Sequence, residues 1–404
     1  MSKNDKFSVL VVIERFYPLV GGAETQCLQV TSGLKKRNYD IAVVTKKWRQ
    51  EFASWEAVGE EKLTVRRLGI PGFSRWSDYI SGLSLANYLI SQRKHFQILF
   101  VDSGIANVFA STAILIGKIL GKKVVAKVET PGELVFSGPR ALSPKKFVHP
   151  LIKFRLYLAK KADYYIAQTE EMKDELVSLG MKKDLILSFP NSVDENLFKP
   201  LPNDLQKKAI RQKLSWPKDK VIVMFCGRLV ARKGLIYLLK AWKEIVKKSN
   251  NVVLVLVGSG QNQPDTMEGQ LRDFVKENGL SDKVIFTGEK NKLAVVDCLK
   301  AADIFVHPSI HPEGRSLSVL EAMSSNLPVV VSDIGGLKEI VTDKVNGLLV
   351  EKENSKELSE AMERLINNRL LRDKLGKEGR KEVIKKYSLS LSVKNHDQFL
   401  SSIV

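Results

Sequence analysis

Twice along the chain, short aliphatic runs alternate with longer segments whose apolar residues recur every three or four positions, the pattern of buried strands joined by helices. The first series predicts strands at Phe7–Ile13, Ile41–Val44, around Val65, and at Ile98–Val101, Lys123–Val128, Tyr164–Ala167 and Leu185–Ser188. Helices are predicted between them over 23–37, 79–93, 106–120 and 170–179. The second series predicts strands at Val221–Cys226, Val252–Val257, Val284–Phe286, Ile304–Val306 and Leu327–Val331, with helices ending at Lys248 and over 271–278, 293–300 and 316–325. Strand–helix alternation of this kind implies a parallel sheet covered by helices, so two series predict two doubly wound, Rossmann-like α/β domains facing a cleft. Lys199 to Lys220, with Pro200, Pro202, Pro217 and many charges, reads as the connection between them. The expected domains are 1–200 and 201–385, followed by a helix over 386–404 that crosses back to the first domain.

Composition narrows the function classes. No apolar run approaches the roughly 18 residues of a membrane-spanning helix, and the N-terminal apolar run lacks a small-residue cleavage site. The three cysteines, Cys27, Cys226 and Cys298, are widely spaced among apolar neighbours, as core residues of a reducing compartment would be. A cytoplasmic protein is expected. Sixty-four basic against 45 acidic residues leave a net charge of +19, which calls for an anionic partner: a phosphorylated substrate, a membrane surface or nucleic acid. Residues 145–161 hold six Lys or Arg and no acid, interleaved with Phe, Leu, Ile and Tyr. That composition suits a helix on an anionic membrane surface, and equally an amphipathic helix with solvated lysines.

The richest stretch is His307–Gly336, read as strand, loop, helix, strand. Glu313 falls in the loop, and Glu321 lies inside the helix that follows. The backbone N–H groups of Arg315, Ser316 and Leu317 would point at an anion there. Two acids able to bind hydroxyls, beside amides able to bind phosphate, suit a nucleoside diphosphate carrying a sugar. In the first domain, Gly21 and Gly22 would let backbone approach a ligand at a helix N-terminus. Asp102, Lys127, Glu129 and Glu133 stand at carboxyl ends of predicted strands, where open sheets build sites.

Read together, these motifs resemble the retaining glycosyltransferases of family GT4. The resemblance rests on Gly227-Arg228-Leu229 followed by Lys233-Gly234, on Val257-Gly258-Ser259-Gly260, on Phe286-Thr287-Gly288 and on Glu313 with Glu321-Ala322-Met323. Gly21-Gly22-Ala23-Glu24 and Pro190-Asn191-Ser192-Val193-Asp194 with Phe198-Lys199-Pro200 extend it over roughly residues 8 to 386. It implies the GT-B fold and a hexosyltransferase that moves a sugar from a nucleoside-diphosphate donor to a lipid-linked, polysaccharide or other glycan acceptor. The first domain would take the acceptor and the second the donor. Catalytic roles would fall to Glu313, Arg228 and Lys233, the two cations holding the diphosphate without an obligatory metal or other cofactor. Glu321 would take the ribose hydroxyls, while Gly227, Gly258 and Gly288 frame the donor and Gly21 and Gly22 approach it. Many relatives carry a histidine on the first-domain loop that here reads Lys127 to Glu133. Glu129 or Glu133 would replace it, with Asp102, on the acceptor side. A membrane contact through 145–161, inside the cell, would bring the enzyme to a lipid-linked acceptor. The alternatives are a GT-B-fold sugar-nucleotide epimerase, a phosphorylase, for which no pyridoxal-binding motif is seen, and a basic nucleic-acid-binding protein, for which no stacking cluster or recognition helix is seen.

Overall fold

The computed structural model describes the chain except residues 1–6, 20, 73, 105–106, 129–149, 262 and 264 and the side chains of 150–152. It divides into two compact units, one comprising residues 1–191 and 389–404, the other residues 192–388.

The first unit contains strands β1 (Ser8–Val12), β2 (Asp40–Lys46), β3 (Trp55–Val58), β4 (Leu63–Leu68), β5 (Ile98–Val101), β6 (Lys123–Lys127), β7 (Tyr164–Ala167) and β8 (Ile186–Ser188). Its helices are α1 (Gly22–Lys35), α2 (Arg75–Ser91), α3 (Val108–Ile119), α4 (Pro150–Ala159) and α5 (Glu170–Ser178). The strand order is β3-β4-β2-β1-β5-β6-β7-β8. Every pairing is parallel except that of β3 with β4. Both faces of this sheet are covered, so strands are apolar throughout instead of alternating. On β1, Leu10 and Val12 pack with Leu85 and Leu89 of α2 and Phe109 and Ala113 of α3. Val9 and Val11 face the other way, toward Cys27 and Val30 of α1.

The second unit carries α6 (Asp204–Lys213), β9 (Val221–Cys226), α7 (Leu235–Lys248), β10 (Val252–Val257), α8 (Glu268–Glu277), β11 (Val284–Gly288), α9 (Lys292–Ala301) and β12 (Ile304–His307). It continues through α10 (Leu317–Ser324), β13 (Val329–Ser332), α11 (Leu337–Ile340), β14 (Leu348–Val350), α12 (Ser355–Asn367) and α13 (Arg369–Lys386). The sheet is parallel throughout, in the order β11-β10-β9-β12-β13-β14. Ile222 and Met224 of β9 pack with Leu320 of α10, and Val223 and Phe225 pack with Leu238 and Trp242 of α7. Strand order reverses between β9 and β12, the place where open α/β sheets leave a crevice for ligands.

The last helix, α14 (Leu389–Ser402), belongs to the first unit. Val393, Phe399 and Leu400 join the core on the α1 side of the sheet. Tyr39 donates to Asp397 Oδ1 over 2.8 Å, and Arg37 pairs with the same carboxylate at 2.8 Å.

The units divide at Asn191/Ser192 rather than near residue 200. Val193, Phe198 and Trp216 are buried in the second core, which ties the proline-rich segment to that unit. Arg211 of α6 is buried too, donating to Ala301 O at 2.9 Å and to Asp303 at 2.6 Å. A charged stretch expected to be a linker is thus an integral layer of the second unit.

Candidate functional site

At the switch point of the second sheet, two loops are zipped together by backbone. Ile310 N donates to Arg232 O at 2.9 Å. The turn Ala231–Lys233 ends at Gly234, whose φ of 66° is left-handed. A Cβ there would lie 2.0 Å from Pro308 O, so only glycine lets the turn press against the end of β12. The contact aims Lys233 at the loop that follows β12. Its Nζ lies 2.6 and 2.7 Å from the two oxygens of Glu313.

Glu313 has further partners. Ser309 Oγ donates to Oε1, and His307 Nε2 lies 3.3 Å from Oε2. Its backbone carbonyl accepts from Gly336 N at 2.8 Å. Burial would raise the carboxyl pKa, but the Lys233 charge and the His307 hydrogen bond outweigh it and hold the group well below its ordinary value. Burial lowers Lys233, opposed by Glu313, and burial together with Lys233 lowers His307. Both causes favour the neutral imidazole, whose Nε2 lies between Glu313 Oε2 and, at 3.5 Å, Lys233 Nζ. Its ring stacks on Phe225 at 5.8 Å, and Nδ1 is buried without a hydrogen-bond partner among the described residues.

Ser316 caps α10 without a side-chain bond to the helix backbone, its Oγ lying 3.2 Å from Ser318 Oγ, which leaves the first-turn N–H groups of that helix at the loop. The Arg315 side chain is directed elsewhere: it pairs with Glu339 at 2.6 Å, and its guanidinium lies 5.8 Å from the Tyr387 ring. Only its backbone is left for an anion. Glu321, half-buried on α10, has its pKa pushed up to about 7 by burial, with Lys292 opposing. Arg228 is exposed after β9 and donates to Gln263 at 3.1 Å.

Gly227, Gly258 and Gly288 follow or end three adjacent strands. Gly258 N donates to Gly288 O at 3.0 Å, and Gly227 N to Val257 O at 2.9 Å. At Gly258, with φ 131°, a Cβ would lie 2.0 Å from Gly227 O. These positions form a floor of bare backbone at the carboxyl edge of the sheet. The second-unit residues expected from sequence thus share one sheet edge, and Lys233 and Glu313 are in direct contact.

First-unit expectations fare differently. Gly21 caps α1 with Gly22 as its first residue, and the Glu24 side chain folds over the loop, so that a Cβ on Gly21 would meet Oε2 at 2.4 Å. Asp102 was expected to face a cleft; instead it is buried and paired with Lys127 at 2.7 Å across the ends of β5 and β6. Glu129 and Glu133 lie outside the described residues, as do residues 145–149 of the basic stretch. Sequence reading missed His307 and Ser309. The only signal was polar residues at the end of an apolar run just before Glu313, a pattern that also describes an ordinary strand exit.

Comparison with known proteins agrees on one family. The profile described as glycosyl transferases group 1 matches residues 206–382, and that described as glycosyltransferase family 4 matches residues 20–197. The chain is 27% identical over 402 residues to the capsular polysaccharide biosynthesis glycosyltransferase CapM of Staphylococcus aureus, covering 96% of this chain and 94% of CapM. It is 25% identical over 384 residues to an uncharacterized glycosyltransferase of Methanocaldococcus jannaschii, covering 92% of each. Among solved structures, Anabaena HepE in complex with UDP superposes with a TM-score of 0.79 at 19% identity, over 98% of this chain and 100% of that one. That likeness is one of fold, the two-domain GT-B architecture.

Proposed function

Because the chain belongs to the group 1 glycosyltransferases of family 4, we propose that it transfers a sugar from a nucleoside-diphosphate donor, with retention at the anomeric carbon, to a hydroxyl of a glycan or lipid-linked acceptor. The observation that carries this reading is the Lys233–Glu313 pair, braced by His307 and Ser309 beside the open start of α10.

In the proposed reaction the bond between the anomeric carbon and the diphosphate oxygen breaks, and a bond to the acceptor oxygen forms. The acceptor's proton leaves with the departing phosphate. The demand on the protein is then to meet charge growing on that oxygen. Arg228, the Lys233 ammonium and the first-turn amides of α10 fill this role. Glu313 holds Lys233 in place and turns a carboxylate edge to the sugar hydroxyls. Glu321 receives the ribose hydroxyls, and the floor at Gly227, Gly258 and Gly288 admits the nucleotide without side chains in its way. UDP-glucose, bound like UDP by Anabaena HepE, heads the donors to try.

The test is a panel of nucleoside-diphosphate sugars read by thermal stabilisation, then NMR of the product's anomeric configuration. One donor should stabilise the protein and yield a product of unchanged configuration. An inverted product would overturn retention, and conversion of donor without acceptor would favour the epimerase. Lys233→Ala should lower turnover by on the order of 10²-fold, and near-normal turnover would remove Lys233 from this role.

A further inference from the structure

A helix lying on a sheet normally turns apolar residues inward and polar residues outward. α2 does not. Ser77, Ser81, Gly82, Leu85 and Leu89 face the core. On the opposite side Trp76, Tyr79, Ile80, Leu83 and Ile90 are exposed, Trp76 at 77% and Leu83 at 68%. Spacings of three and four residues set them in one stripe along the helix.

The neighbouring helices continue the pattern. α3 packs tightly on α2, where a Cβ on Gly82 would lie 3.0 Å from Val108 Cγ1. Its outward residues include Leu115 and Ile119, the latter 70% exposed. α4 packs on α3 and exposes Phe154 and Tyr157. A monomeric soluble domain rarely leaves so many large apolar side chains on adjoining helices uncovered.

Charge around the patch is mainly positive. Across α2, α3 and α4 the single acidic residue is Asp78, and it is bonded to Lys46 Nζ at 2.5 Å. Arg75, Arg93 and Lys94 are exposed near the ends of α2, and Lys153, Lys160 and Lys161 on and just after α4. Apolar and aromatic side chains rimmed by cations match a bilayer surface, where rings sit at headgroup depth and cations meet lipid phosphates. A second copy of the chain would set cations against cations. We propose that the outer face of α2, α3 and α4 docks on an anionic lipid surface. The contact expected over 145–161 thereby moves, in its larger part, to α2. The proposal uses first-unit side chains alone, so it fails or stands apart from the donor-site reading.

The experiment is flotation of the full-length protein with phosphatidylcholine vesicles, with and without phosphatidylglycerol, at low and high salt. Binding should require phosphatidylglycerol and weaken with salt, since the rim charges are exposed. Trp76→Ser with Leu83→Ser should cut vesicle partitioning by on the order of tenfold or more. Melting temperature and nucleotide-induced stabilisation should be unchanged, which separates lost docking from lost folding. Lys153→Glu with Lys160→Glu should abolish the preference for phosphatidylglycerol. The proposal is overturned if the wild type stays off anionic vesicles, binds neutral ones equally, or retains its partitioning in the Trp76/Leu83 variant. Sedimentation showing a dimer that the same variant dissolves would assign the face to a second copy and overturn it too.

Discussion

Glu313 and Glu321 leave the same loop–helix segment with opposite proton affinities. At Glu313, burial acts upward and is outweighed by Lys233 and His307; at Glu321, burial prevails over Lys292 and the pKa reaches about 7. The folded chain therefore keeps the Glu321 proton between its ordinary 4.5 and about 7, where the unfolded chain has released it. More protons bound in the folded state means stability falls as pH rises through that window. Glu321→Gln, neutral throughout, should melt a few degrees above the wild type at pH 8 and match it at pH 4, in calorimetry across the range. A constant gap would show that Glu321 does not titrate there. The same substitution should weaken nucleoside-diphosphate binding, because an amide is a poorer acceptor for ribose hydroxyls.

At the level of elements, one glycine sets how close the site's loops come. Gly234→Ala places a methyl 2.0 Å from Pro308 O in a left-handed conformation. It should cost on the order of 3 kcal/mol in urea unfolding and separate Lys233 from Glu313. Gly288→Ala is a control: φ is 68°, yet a Cβ there meets nothing within 4 Å. It should cost only about 1 kcal/mol, the penalty of the left-handed backbone itself. Equal losses would mean that crowding at Pro308 is relieved cheaply.

Elements differ in how plainly the sequence announces them. β9, β10 and β12 are legible because a strand buried on both faces is a continuous apolar run. β3 went unread: it is an antiparallel edge strand of Trp, Glu, Ala and Val, with Trp55 exposed. α2 begins at Arg75, not at residue 79, because outward Trp76 and Ile80 blur the inward period that marks a helix. Its Ser74 cap, accepting from Ser77 N at 3.2 Å, was the missed signal. Glu313 and Lys233 could be read from motif spacing. Their bracing by His307 and Ser309 could not, since it depends on how two loops distant in sequence meet.

At the scale of the molecule, the residues proposed above to hold the donor all come from residues 192–388. That segment has its own sheet and cores. Expressed alone, it should fold cooperatively and bind UDP within about tenfold of the full chain, measured by calorimetry. Transfer activity should be absent, because the proposed acceptor side is missing. Loss of UDP affinity by several orders of magnitude would show that residues 192–388 do not hold the nucleotide by themselves.

The return of α14 to α1 orders events on the ribosome. Residues 192–388 are all synthesised before Val393, Phe399 and Leu400 exist to cover the α1 side of the first sheet. The first unit, though begun first, thus stays open on that side until α14 is made and joins it. A released chain truncated after residue 388 should resist protease in its newer half and be cut in its older half. Vectorial synthesis would then complete the two halves in the reverse of the order in which they begin.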